Sequence, residues 1–251
     1  MNLFGGKAKP VVEYTGNYKS FEDAKKDCTG YDGKAIFDKV SESTMKVLNG
    51  EAVYERDSYL FYEKAVNYNL MMYLYRLYAE DGFLRVCDWG GALGSSYLQH
   101  REMLDRLGCE WNIVEQPHYV KFGKENIHLP NLHFYEAVSD IPDECNCVLF
   151  SSVLQYLECA GEIAEEIAKR GPKQIIVERT PISGCHYIRV QTVHEPIYEG
   201  AYAACVYKEK ELTDMFCRDG YSLIDSWHSL VDADEKIGKD KVEYKSFVFE
   251  K

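Results

Sequence analysis

The run Asp88-Trp89-Gly90-Gly91-Ala92-Leu93-Gly94 sets a carboxylate at the mouth of a glycine-rich bend. An apolar run, Leu84 to Cys87, ends on the acid, and a stretch able to start a helix follows the glycines. Glycine lets backbone come close to a ligand and leaves N–H groups at a helix start pointing at it. The bend does not match the G-x-G-x-x-G turn of dinucleotide sites. It also lacks the Gly-Lys-Ser/Thr ending of a phosphate loop. Asp88 repels a pyrophosphate, and it suits a cation such as an ammonium group beside a sulfonium.

Glu115 lies 25 residues beyond Gly90, at the end of the second apolar run. A carboxylate there can accept hydrogen bonds from both hydroxyls of a ribose. Gln116 and His118 follow it and are placed to line an adenine. Glu136, beyond a third short run, and Ser151 and Ser152, at the end of a fourth, are further candidates for the same ligand. Gly90, Gly91 and Gly94 supply the close backbone approach. Three carboxylates around one cleft disfavour a polyanion and favour S-adenosylmethionine, with S-adenosylhomocysteine as product.

The segment Asp88 to Gly94 resembles the first motif of the class I S-adenosylmethionine-dependent methyltransferases, with Ala92 at the middle glycine. Glu115 falls on that family's ribose-binding acid. Gly50 to Ser58, Trp111 to Pro117, Ser152 to Leu157 and Glu178 to Pro181 resemble a bacterial methyltransferase family. Its genes often accompany those for capsule, O-antigen and other surface-polysaccharide synthesis. The resemblance implies O-methylation of a sugar, sugar phosphate or related precursor by direct in-line transfer.

A sulfonium is a strong electrophile, so alignment supplies much of the acceleration, while a hydroxyl acceptor also needs a base. Candidate catalytic groups are Glu178, Arg179, His186 and His118. Arg179 stays protonated, so it can orient or neutralise a substrate but cannot take a proton. Tyr54, Arg56, Asp57, Tyr198 and Tyr202 are candidates to contact the acceptor. The histidines form no metal-ligand spacing, so metal-independent transfer is expected. Two other classes stay open: an NAD-dependent oxidoreductase, and a protein that binds S-adenosylmethionine but has lost transfer.

These residues need a scaffold that brings strand ends to one edge. Short apolar runs at Phe83–Cys87, Trp111–Glu115, Leu132–Tyr135, Asn146–Phe150 and Gln174–Glu178 read as strands. They alternate with helical stretches near 94–107, 118–125 and 155–170, as a mostly parallel covered sheet requires. Tyr59 to Ala79 reads as one long amphipathic helix, and shorter ones are expected at 21–28 and 35–48. A loop from Arg179 to about Ala201 and a helix near 208–218 precede two strands, Tyr221–His228 and Val242–Phe249. The expected fold is α/β: a Rossmann-like, seven-stranded, mostly parallel sheet with an antiparallel terminal strand. An N-terminal helical lobe, residues 1–58, would flank the substrate cleft of a methyltransferase domain, residues 59–251.

Composition narrows the partners. With 41 acidic against 29 basic residues and a net charge of -12, a nucleic-acid surface is not expected. A small-molecule or saccharide-precursor substrate is. Residues 1–10 show no apolar signal core, and no run approaches the roughly 18 residues of a membrane span, so a cytoplasmic protein is expected. The nine cysteines are odd in number, and Cys87, Cys147 and Cys205 sit inside apolar runs, which reads as buried free thiols. Oligomeric state leaves no sequence signal.

Overall fold

The computed structural model describes residues 12–28, 33–194, 200–218, 220–229 and 231–251. The N-terminal part runs β1 (Val12–Tyr18), α1 (Phe21–Lys25), α2 (Lys34–Leu48), β2 (Tyr54–Arg56), β3 (Tyr59–Phe61) and α3 (Tyr68–Asp81). The central series is β4 (Arg85–Trp89), α4 (Ser95–Arg106), β5 (Glu110–Val114), α5 (Pro117–Asn126), β6 (Leu132–Tyr135), β7 (Cys147–Ser151), α6 (Ala160–Arg170) and β8 (Gln174–Ile182). After it come β9 (Tyr187–Val193), β10 (Gly200–Val206), α7 (Glu209–Cys217), β11 (Ser222–His228), β12 (Glu235–Ile237) and β13 (Asp240–Glu250).

The main sheet has the order β11-β13-β8-β7-β4-β5-β6, with β12 paired to β13. Strands β6, β5, β4, β7 and β8 are parallel, and β13 is antiparallel to both of its neighbours. The expected seven-stranded, mostly parallel sheet with a reversed terminal strand is therefore present. Side chains alternate across it with period two. Val86, Leu149, Ile176 and Val248 join one core with α2, α3, α4 and α5. Cys87, Val148, Phe150, Ile175, Val177, Phe247 and Phe249 join the other with α1, α6 and α7. Burial on both faces explains why the central strands read as continuous apolar runs.

Two expectations are corrected. Tyr59 to Ala79 is not one helix: β2 and β3 form a hairpin, and α3 begins at Tyr68 behind the cap Asn67, whose side chain accepts from Leu70 N–H. Asn67 offers the backbone a better ending than another helical turn. The hairpin spans the expected boundary between residues 58 and 59. The stretch beyond Arg179 is not a plain loop either. β8 continues to Ile182, and β9 and β10 pair antiparallel, with β1 on the outer side of β9. Its strands mix Arg189, Gln191 and Thr192 with apolar residues, which hides the alternation. Cys87, Cys147 and Cys205 are buried free thiols. Among the described residues no helix is long and apolar enough to cross a membrane.

Candidate functional site

The C-terminal ends of β4, β7 and β8 open on a cavity of about 220 Å³, closed from above by the β2–β3 hairpin and the start of α3. Its walls include Asp88, Gly90, Gly91 and Ala92 at the first bend, and Ser151 and Ser152 at the end of β7. Glu178 and Arg179 from β8, and Tyr54, Arg56 and Asp57 from the hairpin, complete the predicted residues that meet there.

Asp88 is 1% exposed. Its Oδ2 accepts from Trp111 Nε1 at 2.9 Å, while Oδ1 has no partner. Burial pushes its carboxyl up to about 7 against the Trp111 hydrogen bond, and Glu115 and Glu178 add to the rise. Gly91 packs so closely that a Cβ there would stand 2.4 Å from Asp88 Oδ2. Ala92 has φ +50°, the left-handed region that an L-residue enters at a cost. The bend thus makes the same backbone demand that the middle glycine of the motif meets more cheaply. Gly94, at φ +95°, caps α4.

Glu115 follows β5 and accepts from Gln116 N–H at 2.6 Å and from Ala92 N–H. Burial raises its pKa and these two donors lower it. The acid is thereby tied to the glycine bend, although neither Glu115 nor Gln116 lines the cavity. Glu136 is exposed beyond β6 and also lies outside it. Ser152 has φ +55°, gives its N–H to Glu178 O at 2.9 Å, and accepts from Gln155 Nε2 at 3.0 Å.

Glu178 is 3% exposed, with Asn67 Nδ2 donating to its Oε1 at 2.7 Å. Burial raises its pKa; Asn67, Arg179 and Arg56 oppose the rise. Arg179 is committed elsewhere. Its Nη2 donates to Asp232 Oδ1 at 2.9 Å and to Asp57 Oδ2 at 3.0 Å, and its Nε also reaches Asp232. Burial works against its charge, yet the two acids hold its pKa above the ordinary value. Such a guanidinium joins the hairpin to the segment after β11.

Other predicted residues stand apart from the cavity. His118 lies in the first turn of α5, with its ring 5.0 Å from that of Phe37 and 4.7 Å from that of Tyr119. His186, between β8 and β9, has Nδ1 3.0 Å from Glu211. Tyr202 is buried on β10, 5.8 Å from the Tyr156 ring. Tyr198 lies outside the described residues.

Several cavity residues went unpredicted: Glu55, Asn67, Ser95, Gln99, His100 and Trp227. His100 accepts from Asn67 N–H through Nε2 at 2.9 Å and its Nδ1 lies 2.8 Å from Ser96 O. Those bonds define a neutral ring with the proton on Nδ1, and burial, the largest influence, lowers its pKa. Asn67 thus links α3, α4 and Glu178. No spacing could reveal it, because its partners are distant in sequence. Glu55 was nearer to hand, inside the Gly50 to Ser58 motif.

Backbone strain gathers here too. The five non-glycine residues with positive φ among the described residues are Asp57, Ser58, Ala92, Ser152 and Arg179. Four of them line the cavity. Conformations of that kind persist where surrounding structure over-determines them, and they cluster at functional sites.

No family model matches the chain, and no curated protein matches it in sequence. Solved structures do. One described as a pericyclic reaction enzyme superposes with a TM-score of 0.51 at 13% identity, covering 85% of this chain and 54% of its own. LepI in complex with SAM gives 0.51 at 12% identity, covering 86% and 54%. This chain therefore spans about half the length of those two proteins. A Burkholderia thailandensis 1,6-didemethyltoxoflavin-N1-methyltransferase with bound S-adenosylhomocysteine gives 0.45 at 15% identity, covering 86% and 88%. The likeness to the first two is one of fold alone, a Rossmann-like α/β sheet.

Proposed function

We propose that the chain transfers a methyl group from S-adenosylmethionine to a small-molecule acceptor. The observation that carries this reading is the cradle at Asp88. A buried carboxylate with one oxygen lacking any partner faces a glycine whose missing Cβ leaves no room for a side chain. A polar atom so placed favours a ligand that brings positive charge. Glu115, tied to the same bend, offers the carboxylate that a ribose diol needs. Asp88, Gly90, Gly91, Glu115 and Ser152 would hold the methyl donor, with Gln116 and Glu136 toward the adenine. Bound S-adenosylmethionine supplies an electrophilic methyl group and needs no metal to do so.

Glu178 serves as the proton acceptor. Asn67 holds Oε1, so Oε2 takes the proton as the nucleophile forms its bond to the methyl carbon and sulfur keeps the electron pair. A carboxyl whose pKa burial has raised is better matched to that task than a solvated one. The acceptor we propose is a sugar or related precursor of surface polysaccharide. The sequence resemblance supports it, as does a wall that combines Trp227 with Asn69, Gln99, Ser229 and Ser246. Arg179 already pairs with two acids, which favours a neutral acceptor over a sugar phosphate.

Calorimetry with S-adenosylmethionine, S-adenosylhomocysteine and NAD tests the donor. Both methionine ligands should bind and NAD should not; the reverse pattern would sink the reading. Asp88→Asn should weaken S-adenosylmethionine by about 1–3 kcal/mol, roughly 5- to 150-fold. Incubation with methyl-labelled donor and candidate nucleotide sugars, followed by mass spectrometry, locates the acceptor atom. Binding without label transfer to any of them would favour a protein that keeps the ligand and not the reaction.

A further inference from the structure

Arg56 and Glu55, neighbours in sequence, both line the cleft and form no ion pair among the described residues. Arg56 donates from Nη2 to Gln99 Oε1 at 3.1 Å, and its guanidinium carbon lies 5.7 Å from the Phe61 ring and 5.8 Å from that of Tyr54. Among the described residues it forms no ion pair, since Asp57 and Asp232 are taken by Arg179. Glu55 is 1% exposed. Its partners are the Ser95 hydroxyl and the Ser58 N–H, both neutral. Ser95 and Gln99 are one turn apart on α4, so both side chains of the hairpin reach the same helix face, beside the glycine bend.

A guanidinium and a carboxylate, each largely withdrawn from water and neither in an ion pair, are costly to hold. A ligand carrying an anion and a cation a short distance apart offsets both costs at once. The amino-acid end of the methyl donor has that shape, with a carboxylate and an ammonium group on one carbon. Resting on the methyl-donor reading above, we propose that Arg56 binds the donor's carboxylate while Glu55 shares its ammonium group with Asp88. Arg56 thereby belongs to the donor, and not to the acceptor, to which its position in the sequence first pointed. Burial holds the Glu55 carboxyl up to about 7, so an arriving cation expels a proton near neutral pH.

Two ligands that differ only at this end provide the test. S-adenosylhomocysteine has the amino-acid group, and 5′-methylthioadenosine lacks it while keeping the adenosine and the sulfur. Calorimetry on the unaltered protein should show the first binding at least about 10-fold more tightly. Arg56→Gln should weaken S-adenosylhomocysteine by about 10- to 100-fold and leave methylthioadenosine within about twofold. Arg56→Lys should recover part of the loss, and Glu55→Gln should repeat the selective loss. Retained methylthioadenosine binding shows in the same experiment that each variant is folded. Equal loss of both ligands, or no loss of either, overturns the assignment while leaving the methyl-donor reading intact. Failure of the unaltered protein to bind any of the methionine-derived ligands overturns that reading first, and this assignment with it.

Discussion

At the scale of single residues, the glycine bend shows two neighbouring positions with opposite tolerances. Gly91 has an ordinary φ but no space, because Asp88 occupies the place of its side chain. Ala92 has space but a left-handed backbone, at φ +50°. Gly91→Ala should therefore abolish donor binding by pushing the Asp88 carboxylate out of position, even where the fold survives. Ala92→Gly should relieve the strain and raise stability by about 0.5–1 kcal/mol, the left-handed cost less the extra chain entropy of glycine. Urea unfolding measures the second effect and calorimetry the first. A stabilised Gly91→Ala, or a destabilised Ala92→Gly, would contradict this account of the bend.

At the scale of elements, the cleft is held by Arg179, which joins the β2–β3 hairpin through Asp57 to the segment after β11 through Asp232. The Asp232 pair is largely withdrawn from water, at 17% and 14% exposure, whereas Asp57 is 44% exposed. Removing one member of a buried pair leaves the other charge uncompensated, so Arg179→Met should cost about 3–5 kcal/mol of unfolding free energy. Asp57→Asn breaks only the wetter contact and should cost about 1 kcal/mol or less. Equal costs by denaturant titration would show that the two acids are equivalent. The elements that position this clamp were unequally legible. Strands β4 to β8 could be read because burial on both faces makes them apolar throughout, and their helices follow at regular intervals. The hairpin could not, since Tyr59 to Phe61 carries the same aromatic character as the helix after it, and only the Asn67 cap separates them. Asp88 and Glu115 are legible because each ends a readable strand. Asn67, His100 and Glu55 act through partners on other elements, which only the folded chain brings together.

At the scale of the whole molecule, the cleft gathers buried acid groups whose proton affinity the fold raises. Burial raises Asp88 and Glu55 to about 7, and Glu115 and Glu178 are raised as well. A carboxyl whose folded pKa exceeds its unfolded one binds protons more tightly in the native state. Its stabilising contribution is complete below the unfolded pKa near 4 and is lost as pH rises through the folded value. Exposed acids such as Asp23, Glu42, Glu102 and Glu165 have lowered pKa values through their partners and act in the opposite sense, but only below about pH 4.5. Buried His100, whose pKa is lowered, opposes the cleft acids over the lower part of the interval from about pH 5 to 7.5. One imidazole stands against four raised carboxyls, so the ligand-free protein should lose thermal stability as pH rises. S-adenosylmethionine brings the missing positive charge and binds the ionised form, so its stabilising effect should grow over the same interval. Thermal melts from pH 5 to pH 8, with and without donor, would show two curves diverging as pH increases. Asp88→Asn should flatten the ligand-free curve and shrink the divergence together. Parallel curves would mean that the buried acids are not what the donor meets.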